Sequence, residues 1–222
     1  PAVDNGATPL YVAAQNGHYE ICKLIIANVD DKNPARNDGV TPLFIAAQNG
    51  HSDIFKLIFE SLGNNNKNPR SNGGFTPLSI AAQYGHYKIC ELIISNVDEK
   101  NPAWPNGVTP LSIAAQYGHY EICKLIISNV DEKNPAWPNG VTPLSIAAQY
   151  GHYEICKLII SNVGEKNPAN NDGVTPLYMA AENNHFDICK LIIDNVNDKN
   201  PASQDGVTPL FIAAQKGHYE IC

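Results

Sequence analysis

The chain has 222 residues, of which 43 % are apolar and 17 % charged, and its formal net charge is −7. This composition is typical of a globular protein and argues against a disordered one, and the acidic balance argues against nucleic-acid binding, which usually needs a basic surface. No apolar run approaches the roughly 18 residues of a membrane span, and residues 1–10 lack the basic-then-apolar pattern of a signal peptide.

The chain is built from a repeated unit. The tripeptide Thr-Pro-Leu recurs every 33 residues, with one spacing of 35, at Thr8, Thr41, Thr76, Thr109, Thr142, Thr175 and Thr208. All seven histidines follow in the same phase, at His18, His51, His86, His119, His152, His185 and His218. We therefore predict a single array over residues 1–222, with units at about 1–34, 35–69, 70–102, 103–135, 136–168, 169–201 and a truncated 202–222.

The first predicted elements of a unit are a turn and a short helix. Pro105 is followed by Asn106 and Gly107, which is turn chemistry because Pro fixes φ and Gly admits a positive φ. Thr109 and Pro110 are typical of a helix start, since Thr caps free N–H groups and Pro loses no hydrogen bond there. An apolar stripe at helical spacing then predicts a short first helix, with Leu111, Ala114 and Ala115 on one face.

A second helix is predicted after a break at Gly118 and His119. Its apolar face consists of Ile122, Leu125, Ile126 and Ile127. We predict that Asn129 ends this helix in the left-handed conformation. In the sixth unit Asn184 replaces the glycine of the break, and Asn is the next-best residue for a left-handed backbone. Each pair of helices is too small to bury its own apolar face, so the units must stack on one another.

One stretch of the chain departs from the regular spacing. Residues 61–74 contain two extra residues, which predicts a looser loop between the second and third units. In the second unit Phe55 and Phe59 stand where other units have Cys and Ile. We therefore expect the second helix of this unit to be repacked locally.

The recurring pattern resembles the ankyrin repeat family. It reads Gly-Val-Thr-Pro-Leu, then Ala-Ala, then Gly-His, then a Leu-Ile-Ile run. The resemblance implies an all-α solenoid of stacked helix-turn-helix repeats, whose turns project as β-hairpin-like fingers. It also implies a non-catalytic scaffold that binds proteins on a concave surface of fingers and first helices. The chain departs from the family pattern after Thr-Pro-Leu, where Ser112 and its equivalents replace His, and after the second helix, where residues 130–135 replace Gly-Ala-Asp.

The cysteines and histidines indicate structure rather than chemistry. Equivalent residues of neighbouring units lie about 8–10 Å apart, beyond the roughly 7 Å between Cα atoms that a disulfide allows. We therefore predict core thiols at Cys22, Cys90, Cys123, Cys156, Cys189 and Cys222. The histidines are too far apart to share a zinc ion, and we predict that they bond local backbone and pack between helices. We expect no metal, no cofactor and no enzyme activity, and free thiols favour the cytoplasm.

Positions that vary between units are the candidate binding residues. On the fingers they are Arg36, Trp104, Asn106, Trp137 and Asn139, and at the ends of the first helices they are Gln83, Tyr84, Gln116, Tyr117, Gln149 and Tyr150. Because Tyr and Trp are enriched in binding hot spots, we predict that these residues bind a protein or peptide. An alternative stays open, in which Trp and Pro stiffen neighbouring fingers by stacking on one another.

The ends of the array lead to a second hypothesis about function. The chain stops one turn into the second helix of the seventh unit, and neither end has a polar capping unit. An uncapped stack exposes an apolar helix face. We therefore expect either a longer array or ends that meet something. In the latter case the chain would self-associate end to end into a fibre, or act as an elastic spacer.

Overall fold

The computed structural model describes residues 4–63 and 67–222, so part of the predicted loop, residues 64–66, lies outside the described residues. The described residues form thirteen helices and no β-strand. The first helices of the pairs are α1 (Pro9–Gln15), α3 (Pro42–Gln48), α5 (Pro77–Tyr84), α7 (Pro110–Gln116), α9 (Pro143–Gln149), α11 (Pro176–Glu182) and α13 (Pro209–Lys216). The second helices are α2 (Tyr19–Asn28), α4 (Ser52–Ser61), α6 (Tyr87–Ile94), α8 (Tyr120–Ile127), α10 (Tyr153–Ile160) and α12 (Phe186–Ile193).

Each first helix begins at the predicted Thr-Pro. At α9 the hydroxyl of Thr142 accepts the N–H of Ser145 at 3.2 Å, and the hydroxyl of Ser145 accepts the N–H of Thr142 at 2.9 Å. This capping box satisfies two N–H groups that the helix leaves unpaired, and Pro143 has none to satisfy. The same box forms at α5 and α7, whereas in α1, α3, α11 and α13 a Tyr or Phe replaces the serine and only the Thr cap remains. The predicted helix start is confirmed.

The segments after α2 and α8 each cap two helices at once. Lys133 Nζ donates to the carbonyl oxygens of Ile127, at 2.5 Å, and Val130, at the C-terminal end of α8. Asn134 Oδ1 accepts the N–H of Leu144 in the first turn of α9, at 2.9 Å. These bonds satisfy backbone groups at both helix ends, and the lysine charge suits the helix C-terminus. The same contacts after α2 are made by Lys32 and Asn33.

The break between the two helices of a pair needs a left-handed backbone. Gly118 has φ +76°, and Asn184, the one non-glycine residue with positive φ in the described part of the chain, has φ +63°. The prediction for Asn184 is confirmed. The prediction that Asn129 adopts this conformation is wrong, because its φ is not positive. Its side-chain amide instead donates to the carbonyl oxygen of Leu125 at 2.9 Å, so a side-chain bond to the last turn takes the place of a left-handed cap.

The histidines join neighbouring helix pairs. His152 Nε2 donates to the carbonyl oxygen of Gln116 at 3.0 Å, and His185 Nε2 donates to that of Gln149 at 3.1 Å. Each bond reaches back 36 residues, so the prediction of local backbone partners is wrong, although the packing between helices is as predicted. The ring also lies against the preceding loop, since a Cβ at Gly118 would be 2.7 Å from His152 Cε1.

Helices pack into two layers in each of two compact units, Pro1–Pro105 and Asn106–Cys222. In the first unit α1, α3 and α5 lie side by side, as do α2, α4 and α6. In the second unit the layers are α7, α9, α11 and α13, and α8, α10 and α12. The all-α fold of stacked helix-turn-helix pairs is therefore confirmed. The single array over residues 1–222 stays a prediction.

The core between these layers is apolar. Most alanines of the first helices and most isoleucines of the second helices are buried, whereas Ile21 and Ala214 are exposed. Phe55 and Phe59 on α4 are both buried, and their ring centroids lie 5.5 Å apart, which confirms the predicted repacking. Five cysteines are buried as predicted, whereas the prediction for Cys222 is wrong, because its side chain is exposed.

Candidate functional site

Five fingers, which begin at Arg36, Ser71, Trp137, Asn170 and Ser203, are tight turns held by their own backbone. In the finger at residues 137–140, the Trp137 N–H donates to Val141 O and the Gly140 N–H donates to Trp137 O, both at 2.8 Å. The side chain of Asn139 accepts the N–H of Val141 at 3.2 Å. Asn106 makes the equivalent bond to Val108. The two asparagines proposed for binding therefore also shape their turns, and the fingers are hairpin-like turns without paired strands in the described residues.

Neighbouring fingers are joined by a ladder of hydrogen bonds. Asn72 donates its N–H to Asp38 O at 2.9 Å and its side-chain amide to Asn37 O at 3.0 Å. Gln204 makes the same two contacts with the preceding finger, to Asp172 O and Asn171 O. The second residue of the finger therefore supplies both the backbone and the side-chain donor of the ladder.

The ladder changes character at the two Trp-Pro fingers. Pro105 and Pro138 occupy the donor position, and proline has neither an N–H nor a side-chain amide. Ring contact replaces the hydrogen bonds, because a Cβ at Gly107 would lie 2.5 Å from Pro138 Cδ. Each of these prolines therefore packs on the preceding finger without donating a ladder bond, whereas the next finger is still hydrogen-bonded, since Asn171 donates to Asn139 O at 2.9 Å and to Pro138 O at 3.1 Å.

The two tryptophans are half-buried. The ring of Trp104 lies 4.2 Å from the ring of Phe75, at an interplanar angle of 60°. The indole N–H groups of Trp104 and Trp137 are buried and lack a hydrogen-bond partner within the described residues. Trp104 therefore packs on a ring of the preceding finger, while part of each indole stays exposed, and the stiffening role stays a hypothesis.

We expect Trp104→Ser to lower stability more than Trp137→Ser. Serine stands at this finger position in Ser71 and Ser203, so both variants retain a residue that the turn accepts. Only the first loses an aromatic pair, worth about 0.5–1.5 kcal/mol beyond burial. Urea unfolding followed by circular dichroism measures both losses. A double-mutant cycle with Phe75→Val, the residue of most other fingers, isolates the ring contact, and a coupling energy of zero would contradict this role.

The tyrosines at the ends of the first helices are exposed aromatic side chains. Tyr84, Tyr117 and Tyr150 are each 50 % exposed. Tyr84 stacks on His86 at 6.2 Å between ring centroids, within the first unit. In the second unit Gln116 Nε2 donates to the hydroxyl of Tyr150 at 3.4 Å. Tyr84 and Tyr150 are therefore half-exposed and also contact residues of their own compact unit.

The structure distributes the predicted binding residues over both compact units. The first unit holds Arg36, Gln83, Tyr84 and Trp104, and the second holds Asn106, Gln116, Tyr117, Trp137, Asn139, Gln149 and Tyr150. Within the second unit Gln116 and Tyr150 are in contact. Arg36 is engaged inside the chain, because it donates to the hydroxyl of Tyr11 at 3.0 Å and to the carboxylate of Asp38 at 2.7 Å.

Three residues that the sequence analysis did not single out cluster at α11 and the finger that follows it. Burial, then the negative charge of Glu182, then that of Asp205, raise the pKa of the Tyr178 hydroxyl above its ordinary value. Lys216 lies 3.9 Å from the carboxylate of Glu182. A signal existed in the sequence, since Tyr178 and Asp205 have the same spacing as Tyr11 and Asp38.

The buried thiols are poor nucleophiles. Burial raises the pKa of Cys22 to about 11 and that of Cys90 and Cys156 to about 12. The thiolate is the reactive form, so these side chains stay protonated at neutral pH. Within residues 4–63 and 67–222, no three His, Cys, Asp or Glu side chains are grouped closely enough to hold a metal ion.

Comparison with known proteins matches almost the whole chain to one family. Residues 10–103, 78–169 and 144–222 each match the family model described as ankyrin repeats (3 copies). No curated protein matches the chain significantly. Every helix in the described residues is too short or too polar to cross a lipid bilayer.

Proposed function

Because the chain belongs to the ankyrin repeat family, whose members are generally non-catalytic modules for protein–protein interaction, we propose that it binds a protein or peptide through its fingers and first-helix ends. The proposal treats the chain as seven tandem units at a period of 33 residues, with one spacing of 35 and a truncated last unit, and with the Lys-Asn linker described above. Each unit contributes one finger and one first helix. It does not require catalysis or a bound metal.

The observation that carries the proposal is the contrast between constant buried positions and variable exposed ones. The Ala-Ala pair of each first helix is buried in all but its last copy, where Ala214 is exposed. The residue at the end of the first helix is exposed and changes from Asn16 and Asn49 to Tyr84, Tyr117 and Tyr150. A requirement of the fold would favour one residue type at all copies, so the change to tyrosine supports a role in recognition.

The chemistry of these side chains suits a polypeptide ligand. Tyrosine offers a large apolar ring and a hydroxyl group at a low cost in side-chain entropy. The neighbouring Gln83, Gln116 and Gln149 carry both donors and acceptors, which can pair with the N–H and C=O groups of an extended peptide. The partner would therefore contribute apolar side chains to the tyrosines and backbone groups to the amides.

The test replaces each tyrosine with the residue that the chain itself uses elsewhere. The variant Tyr84→Asn, Tyr117→Asn, Tyr150→Asn carries at all three positions the side chain of Asn16 and Asn49, so we expect an unchanged fold. Peptides are first selected from a random-sequence display library on the unmodified protein. We expect their affinity for the variant to fall about tenfold or more, because hot-spot aromatics are removed.

A matched control lies on the second helices. Lys124 and Lys157 are exposed on α8 and α10, and Lys124→Ala, Lys157→Ala should leave peptide affinity unchanged. Circular dichroism and the unfolding midpoint confirm that both variants fold. Equal affinity of the selected peptides for the tyrosine variant and the unmodified protein would overturn the proposed surface.

A further inference from the structure

The side chain of Arg36 occupies a small site formed by two neighbouring repeats. Its guanidinium lies over the ring of Tyr11, with Cζ 5.0 Å from the ring centroid. One nitrogen donates to the Tyr11 hydroxyl at 3.0 Å and the other to the Asp38 carboxylate at 2.7 Å. Tyr11 is only 5 % exposed beneath it. A ring face, a hydroxyl and a carboxylate together match the plane and the donors of a guanidinium group.

The compact unit Asn106–Cys222 has the same tyrosine and aspartate at the corresponding positions, without the arginine. Tyr178 is the third residue of α11 as Tyr11 is of α1, and Asp205 has the place of Asp38 in the following finger. Arg36 lies 25 residues after Tyr11, and Ser203 stands at the same offset from Tyr178. The serine side chain is too short to cover the tyrosine ring, and Tyr178 is more exposed than Tyr11.

The backbone of the two fingers is the same. In the first, the Arg36 N–H donates to Val40 O and the Gly39 N–H donates to Arg36 O, both at 2.9 Å. In the second, the corresponding bonds of Ser203 and Gly206 also measure 2.9 Å. The two carboxylates are therefore carried on turns of equal geometry.

The carboxylate of Asp205 does not accept the turn hydrogen bond that the carboxylate of Asp38 accepts. Asp38 also accepts the N–H of Val40, at 3.1 Å. In the second finger the hydroxyl of Ser203 accepts the equivalent N–H, from Val207, at 3.2 Å. The Arg-to-Ser change thus removes the internal ligand and at the same time relieves the carboxylate of holding the turn.

We propose that Tyr178, Asp205 and Glu182 form a binding site for an arginine side chain of the protein partner. Glu182 stands where the first site has Gln15, so the second site carries an additional negative charge. Lys216, 3.9 Å from Glu182 and half-exposed, neutralises part of that charge and must move or share the carboxylate when a guanidinium enters. The origin of the arginine in a protein rests on the proposed function, whereas the site itself does not.

The site is tested with a small probe, so its outcome is independent of any partner. The probe is Nα-acetyl-L-arginine amide, titrated into the 222-residue chain and followed by amide chemical shifts, with Nα-acetyl-L-lysine amide at equal ionic strength as the control. We expect saturable shifts at Tyr178 and Asp205 and at least about fivefold weaker binding of the lysine probe, which lacks the planar fork. Equal binding of the two probes would overturn the proposal.

Variants made from the chain's own alternatives sharpen the result. Ser203→Arg supplies the internal ligand of the first site and should abolish probe binding. Arg36→Ser empties the first site and should create a second set of saturable shifts, at Tyr11 and Asp38. Glu182→Gln matches the first site and should weaken binding only about twofold, since the ring and Asp205 remain.

Asp205→Asn keeps the test decisive should Ser203→Arg fail to fold. It leaves the turn intact, because Ser203 holds the Val207 N–H. We expect it to weaken the arginine probe about tenfold through loss of the charged acceptor. Unchanged affinity in this variant would contradict the site. If the tyrosine variant bound the selected peptides as tightly as the unmodified protein, the arginine site would be unaffected. If the arginine probe did not bind, the proposed peptide surface would be unaffected.

Discussion

Gly151→Ala should destabilise the compact unit Asn106–Cys222 by about 2–4 kcal/mol. Gly151 has φ +79°, where an L-residue costs roughly 1–2 kcal/mol. A Cβ at this position would also lie 2.6 Å from His185 Cε1. The histidine ring cannot simply turn aside, because its Nε2 is bonded to the Gln149 carbonyl oxygen at 3.1 Å. The substitution therefore combines backbone strain with damage to the contact between neighbouring helix pairs.

Gly217→Ala is the matched control for the backbone strain. Gly217 has φ +78° at the end of α13, and a Cβ there would meet nothing within 4 Å. We expect it to cost about 1–2 kcal/mol, the strain alone. Urea unfolding gives the midpoints, and native-state hydrogen exchange measures the local opening free energies, since arrays of repeats need not unfold in one step. Equal losses for the two variants would show that the histidine contact contributes nothing.

Asn184 shows how the frame tolerates a side chain at this position. Asn184 has φ +63°, and the histidine of the next repeat, His218, still donates to Glu182 O at 3.0 Å. The N–H of Asn184 lies 3.5 Å from Ala181 O, against 3.1 Å between the Gly217 N–H and Ala214 O, so this one bond is longer. We therefore expect Gly151→Asn to cost less than Gly151→Ala, because Asn visits the left-handed region more readily.

Local chemistry explains which features the sequence could predict. The Thr-Pro helix starts, the left-handed residue at Asn184 and the repacking around Phe55 follow from residue types and short spacings, which act within one unit. The buried Cys and Ala positions follow from helical periodicity. Repetition strengthened each of these predictions, because the same residues recurred in the same phase.

Contacts between neighbouring repeats could not be predicted by the same reasoning. The partner of His152 lies 36 residues back, and the residue that covers Tyr11 comes from the next finger. No local pattern distinguishes an arginine that binds a partner from one that stacks on its own chain, as Arg36 does. The left-handed end predicted at Asn129 was wrong for a related reason, since Lys133 of the following linker and the side-chain amide of Asn129 itself provide the helix end with other hydrogen bonds.

Asn134→Ala should destabilise the protein by about 1–3 kcal/mol, the cost of leaving a buried backbone donor unpaired. The Leu144 N–H, in the first turn of α9, has no acceptor within the helix and donates to Asn134 Oδ1 instead. Leu144 is fully buried. Pro143 has no N–H, and Thr142 and Ser145 satisfy each other. The linker asparagine is therefore the group that completes the pairing of this helix start.

The chain offers a control with the same bond in a wetter setting. Asn200 Oδ1 accepts the Leu210 N–H at 3.0 Å, against 2.9 Å for the pair at Asn134, but Leu210 is 47 % exposed. Water can replace the lost acceptor there, so Asn200→Ala should cost about 0.5 kcal/mol or less. Unfolding midpoints compare the two variants, and hydrogen exchange at Leu144 and Leu210 reads each donor directly. If the two substitutions lowered the free energy of unfolding equally, burial of the donor would not explain the role of the asparagine. The Lys-Asn sequence would then be needed for the linker turn rather than for the helix that follows.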